Sequence, residues 1–108
     1  MVKQINPAEL AAWLADKSRE APLLLDVREP WEHEKARIAD SQLLPMGQIQ
    51  ARLAEVDDGR EVVAICHHGG RSMQVATYLE KNGFPRVHNL AGGIDAWSRT
   101  VDPSVPLY

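Results

Sequence analysis

Two short apolar runs constrain this chain more than anything else in it: Leu23-Leu24-Leu25-Asp26-Val27 and Val62-Val63-Ala64-Ile65-Cys66. Each is long enough for a buried strand and too short for a buried helix. Neither is broken by regular polar alternation. A strand that is apolar on both faces must be covered on both, as in a parallel sheet lying between helices. The intervening segments supply those helices. Asn6-Pro7 reads as an N-cap with proline at the first helical position, and Leu10, Trp13 and Leu14 share a face beyond it. Glu29-Pro30 ends the first run, and Trp31 to Lys35 suits a brief helical turn. Ile49, Leu53 and Val56 share a helical face that Asp57-Asp58-Gly59 ends. Ser72, Val75, Ala76 and Leu79 share another, closed by Asn82-Gly83. Gly92-Gly93 opens a last helix with Ile94 and Trp97 turned inward. Val2 to Ile5, Gln42 to Pro45 and Val87 to Leu90 are the remaining strand candidates. The expectation is an α/β fold: a mostly parallel sheet of about five strands with helices on both faces. At 108 residues the chain suits a single domain, 1–108, with residues 101–108 as an extended tail.

Composition removes several function classes. The formal net charge is −3 and no basic block interrupts the sequence, which argues against nucleic acid or an anionic membrane as main partner. No apolar stretch approaches the roughly 20 residues of a membrane helix, and the first residues lack a signal core. Cys66 is the only cysteine, so neither an intramolecular disulfide nor a cysteine-rich zinc site can form. A thiol without a partner stays reduced in a reducing compartment, and the expected location is cytoplasmic.

Cys66 also sits where a nucleophile would sit. In parallel α/β sheets the active crevice lies beyond the carboxyl ends of the strands, and Cys66 ends the most strand-like run. His67-His68-Gly69-Gly70-Arg71-Ser72 follows, and then a helix begins. Gly69 and Gly70 can turn successive N–H groups inward. The helix N-terminus adds free N–H groups and the positive end of its dipole. Arg71 adds a permanent charge and a planar fork suited to an oxyanion, and His67 and His68 add charge according to pH. These terms favour thiolate, the reactive form.

The loop Cys66-His67-His68-Gly69-Gly70-Arg71-Ser72 resembles the active-site loop of the rhodanese family of sulfurtransferases. The resemblance covers nearly the whole chain. Leu25-Asp26-Val27-Arg28-Glu29 followed by Glu32 is similar to the family's first signature. Leu79, Gly83-Phe84, Val87, Leu90, Gly92-Gly93-Ile94 and Trp97 are similar to its C-terminal one. Asp102-Pro103-Ser104-Val105-Pro106 with Tyr108 resembles the closing tail of stand-alone bacterial members. One segment departs: where the family commonly has Gly-His-Ile and then Gly-Ala, this chain has Ala36-Arg37-Ile38 and Asp40-Ser41.

The resemblance implies a rhodanese-like three-layer fold and a two-step reaction without metal or organic cofactor. Sulfane sulfur passes from thiosulfate or a related persulfide donor to Cys66, then from the Cys66 persulfide to cyanide or a thiol. Arg71 is the best candidate for the donor's sulfonate end. The partners implied are a small-molecule sulfur donor and acceptor. Two alternatives remain beside this reading. One is a sulfur-relay or regulatory module serving a specific protein partner. The other is a cysteine phosphatase or arsenate reductase, but those enzymes resemble one another in placing five residues between cysteine and arginine, whereas four separate Cys66 from Arg71.

Other residues receive plainer readings. Adjacent residues point in different directions, so His67 and His68 with no further ligand cluster in the sequence do not indicate a metal site. His67 suits the pocket rim. Asp26 and Arg28, two apart at a strand end, can share a side as a structural ion pair. Ser72 can cap the helix or hydrogen-bond the sulfur. His33 and His88 suit surface or strand-end positions, and Trp13, Trp31 and Trp97 suit core or rim.

Overall fold

A computed structural model describes all residues, 1–108. The elements run β1 (Lys3–Ile5), α1 (Pro7–Ala15), β2 (Leu23–Asp26), α2 (Pro30–Lys35), β3 (Gln42–Leu43), β4 (Val62–Ile65), α3 (Gly70–Lys81), β5 (Val87–Leu90) and α4 (Gly93–Thr100). The five strands form one sheet in the order β1-β5-β4-β2-β3, every neighbouring pair parallel.

The apolar runs explain the layers. Alternate residues of a strand point to opposite faces. Val62, Ala64 and Cys66 therefore join Leu23, Leu25 and Val27 on one face, where Val75, Ala76 and Leu79 of α3 cover them. Val63 and Ile65 join Leu24 on the other face, under Leu10 and Trp13 of α1 and Ile94 and Trp97 of α4. Every residue of β2 and β4 is buried, as continuous apolar strands require. At α1, Asn6 accepts the Glu9 N–H through Oδ1 at 2.8 Å, and the Glu9 carboxylate accepts the Asn6 N–H at 2.9 Å, closing a capping box.

Three segments differ from the sequence expectation. The third strand is shorter: regular pairing covers only Gln42–Leu43. Beyond it Leu44 N–H still bonds Asp26 O at 2.8 Å and Met46 N–H bonds Val27 O at 2.9 Å, so the edge remains stitched to β2. The helix expected through Ile49, Leu53 and Val56 is instead two 3-10 turns, Met46–Gln48 and Leu53–Glu55. Ile49 and Val56 are buried all the same, because short i→i+3 turns can seat both without nucleating an α-helix. The tail is not simply extended. Val105 N–H bonds Asp102 O at 3.1 Å, Val105 is buried in the α1/α4 layer, and Tyr108 returns to the sheet. No helix is long and apolar enough to cross a membrane.

This topology has one switch point. β2 and β4 lie side by side, yet β2 continues outward to the edge strand β3 while β4 continues the other way to β5. The carboxyl ends of β2 and β4 flank this point, the usual ligand position in such sheets. Arg28 leaves β2 there and Cys66 leaves β4.

Candidate active site

Cys66 is only 1% exposed. Two groups meet its Sγ. Gly69 N–H donates at 3.0 Å, and Ser72 Oγ lies 3.2 Å away. Gly69 makes the first contact possible because its φ is +106°, a backbone angle that side-chain-bearing residues rarely adopt. It is the residue before α3, so the sulfur sits at the mouth of that helix N-terminus. Of the two glycines expected to turn inward only Gly69 does so, since Gly70 already belongs to α3, and Ser72 in the first turn of that helix lies at the sulfur.

Ser72 has one hydroxyl proton and two acceptors. Its Oγ lies 2.5 Å from Asn89 Oδ1 as well as near Sγ. The Asn89 amide nitrogen donates to Gln4 Oε1 at 3.0 Å and Gly69 O at 3.2 Å, which assigns its oxygen to Ser72. With Cys66 as thiol, Ser72 donates to Asn89 and accepts from the S–H. With a charged sulfur, the Ser72 proton can turn to it. Asn89, buried on β5, escapes sequence reading because it lies 17 residues beyond Ser72.

Arg71 is not free to bind an anion with its fork. Its Nη1 and Nη2 donate to Glu32 Oε1 and Oε2 at 2.7 and 2.9 Å. The Glu32 carboxylate also accepts the Glu29 N–H at 2.9 Å and the Tyr108 hydroxyl at 2.7 Å. Chiefly through the Arg71 pair, and against the opposing pull of burial, its acidity is strengthened from the usual 4.5 to a pKa of about 2. The same pair, opposed by burial, raises the Arg71 guanidinium above its ordinary value. In this structure the Arg71 fork braces the Cys66 loop against α2.

Asp26 and Arg28 do form an ion pair. Arg28 Nε and Nη2 donate to the Asp26 carboxylate at 2.9 and 2.6 Å, and both side chains are sealed from solvent. The remaining donors of Arg28 close the end of α2 through Glu32 O and Ala36 O, and Nη1 reaches the Tyr108 hydroxyl at 2.8 Å. Burial first, then the bond to Glu32, pushes the Tyr108 phenol up to about 12. In the sequence Glu32 and Tyr108 stand out only as parts of the family signatures. The fold makes them the joint between the two loops.

His67 is half-buried. Its ring is stacked flat on Tyr108, centroids 4.0 Å apart and planes 9° apart, with His68 on the other face at 3.9 Å. Burial, then the charge of His68, lowers the His67 pKa. His68 is exposed, and Gly70 begins α3 with open space at its Cα. The fold also brings up a third potential metal donor, Asp95 of α4, whose ligand atom and those of His67 and His68 lie within 4.8 Å of one another. Asp95 lies 27 positions beyond His68, a separation no local sequence spacing reveals. His88 bonds Glu61 at 3.2 Å far from the sulfur, and Trp31 is the exposed tryptophan, edge-on to Tyr108.

Comparison with known proteins fits this geometry. The family model for the rhodanese-like domain matches residues 6–100. A sulfurtransferase of Allochromatium vinosum is 43% identical over 99 residues, covering 92% of this chain and 91% of the relative. A putative sulfur carrier protein of Bacillus subtilis, YrkF, is 38% identical over 81 residues, covering 75% of this chain but 44% of that protein. The crystal structure of a rhodanese-like domain protein from Staphylococcus aureus superimposes with a TM-score of 0.84 at 29% identity, covering 99% of each chain. The family model and the Allochromatium vinosum relative both span nearly the whole chain: this chain belongs to the rhodanese-like domain family.

Proposed function

We propose that this protein is a sulfurtransferase that carries sulfane sulfur as a persulfide on Cys66, taking it from thiosulfate or a related persulfide and giving it to cyanide or a thiol. The Cys66 thiolate attacks the outer sulfur of thiosulfate, a new S–S bond forms, and the donor's own S–S bond breaks with its electron pair leaving on sulfite. An acceptor thiolate then attacks the outer sulfur of the persulfide, and the Cys66 thiolate departs. Neither step needs a cofactor. The observation that carries this reading is the seating of Sγ: a nearly buried sulfur at a helix N-terminus, met by the Gly69 N–H and the Ser72 hydroxyl. These groups suit an anionic sulfur in both the resting and the loaded state, as preorganised donors do for an oxyanion. A sulfur so recessed suits the single protruding atom of a sulfane donor better than a tetrahedral phosphate. The four-residue spacing to Arg71 points the same way.

Glu32 occupies the fork of Arg71, so we assign Arg71 to positioning the loop rather than to gripping the donor. Incubation of the reduced protein with thiosulfate should add the mass of one sulfur to Cys66, and Cys66→Ser should acquire none. An unmodified wild-type protein, or a serine variant active in transfer, counts decisively against the proposal. The name of the Bacillus subtilis relative favours a second reading, relay of the sulfur to a protein partner. Slow transfer to small thiols beside fast transfer to one protein acceptor would select it.

A further inference from the structure

Two side chains of the Cys66 loop and one of α4 gather into a second donor set. His67 and His68 leave the loop itself, and Asp95 leaves the first turn of α4. The backbone holds these elements together. Ile94 N–H donates to Cys66 O at 2.9 Å and Asp95 N–H donates to His67 O at 3.1 Å. Gly93 permits this approach, because a Cβ there would overlap both carbonyl groups. These main-chain bonds fix the Asp95 backbone against the loop that carries the two imidazoles.

We propose that His67, His68 and Asp95 form a binding site for a transition-metal dication of the zinc class at the edge of the Cys66 loop. Two imidazoles and one carboxylate are ligands zinc accepts, with a fourth position left for water. Magnesium and calcium favour all-oxygen sites and fit this set poorly. Ligands at about 2.0–2.2 Å around a tetrahedral ion lie about 3.4 Å from one another. The present donors, within 4.8 Å, need only a modest contraction. The stacked rings, 28° from parallel, do not yet aim their lone pairs at one point; His68 is exposed, and turning it out of the stack brings a nitrogen towards the shared point. His67 is the fixed member, clamped on Tyr108. Its Nε2 is buried without a hydrogen-bond partner, and such an atom calls for a physical explanation. Asp95 spends one oxygen, Oδ2, on Arg99 Nε at 3.0 Å, which leaves Oδ1 for the ion. Arg99 is the opposing charge in the neighbourhood, and it is exposed enough to swing away.

Occupied, the site sets a dication at the Cys66 loop, and the rate of sulfur loading should change with zinc. That consequence rests on the sulfur-transfer reading; the binding does not. The test is zinc alone, titrated into the reduced full chain against a chromogenic chelator. One zinc should bind, and His68→Gln and Asp95→Asn should each weaken it by about tenfold or more. Arg99→Gln should tighten it. Cys66→Ser should leave affinity unchanged, which separates this site from a thiolate-bound metal. Ring-proton spectra of the wild type provide a reading independent of any variant: zinc should move the His67 and His68 signals and leave those of His33 and His88 in place. No bound zinc, full affinity in either His68→Gln or Asp95→Asn, loss in Cys66→Ser, or unmoved His67 and His68 signals would overturn the site.

Discussion

Arg28 and Arg71 each hold a buried carboxylate with two charge-assisted hydrogen bonds, yet they sit on different sides of a boundary. The Arg28–Asp26 pair is sealed, with side chains 0% and 1% exposed. The Arg71–Glu32 pair straddles the surface, 34% and 4% exposed. The sealed pair ties the end of β2 to the end of α2. The straddling pair ties α2 to the loop that holds the sulfur. Both converge on the Tyr108 hydroxyl, which accepts from Arg28 and donates to Glu32. The two pairs thus differ in the burial of the cation, and on the proposed function the sealed pair is structural while the straddling one serves the sulfur loop.

That contrast can be broken most sharply at Arg28. Arg28→Met strands the buried Asp26 charge, and removing one partner of a buried pair costs about 3–5 kcal/mol. Denaturant unfolding should show that loss, while sulfur loading per folded molecule changes little. A loading defect larger than the stability defect would erase the distinction. Arg71→Ala should give the inverse pattern. It removes two charge-assisted bonds from Glu32 at a cost of about 2–3 kcal/mol. It should also slow sulfur loading by about tenfold or more, because the loop loses its brace. Normal loading kinetics in that variant would make the second pair merely structural as well.

Acid sharpens the comparison. The Glu32 pKa is depressed in the fold from 4.5 to about 2, so its contribution to stability is fully present above pH 4.5 and is lost as the pH falls towards 2. Screening at the partly exposed Arg71 reduces this to about 2 kcal/mol. Unfolding measured across that window should show the loss, and Glu32→Gln should flatten it. A slope that persists in the glutamine variant assigns the acid sensitivity elsewhere. Tyr108→Phe is the mildest probe. It keeps the stacking on His67 and deletes the hydroxyl shared by both pairs, at about 1 kcal/mol. A double-mutant cycle with Arg71→Ala should show coupling; strict additivity would mean the two pairs do not communicate through Tyr108.

The Asp26–Arg28 pair was legible because its partners are two residues apart at a strand end. Glu32 and Arg71 meet across 39 residues, and Glu32 and Tyr108 across 76. No periodicity or local spacing encodes such meetings; they follow from strand order, which local pattern does not specify. The same limit hid Asn89 and Asp95 from the chemistry of the loop. Local signals served well where they were strong. The apolar runs became β2 and β4, and Ser72, Val75, Ala76 and Leu79 all became the buried face of α3. They served poorly between Ile49 and Val56, where helical spacing was answered by two 3-10 turns. Three apolar positions specify which side is buried without specifying the hydrogen-bond pattern that buries it.

The hydrogen bond from Ile94 N–H to Cys66 O also makes a listening post. Ile94 is buried, so its amide proton is shielded from donors and acceptors at the mouth of the loop. Yet it grips the carbonyl of the residue that changes charge and mass as sulfur arrives and leaves. Its chemical shift should follow each turnover from behind the reaction, a built-in spectroscopic reporter that needs no label on the substrate.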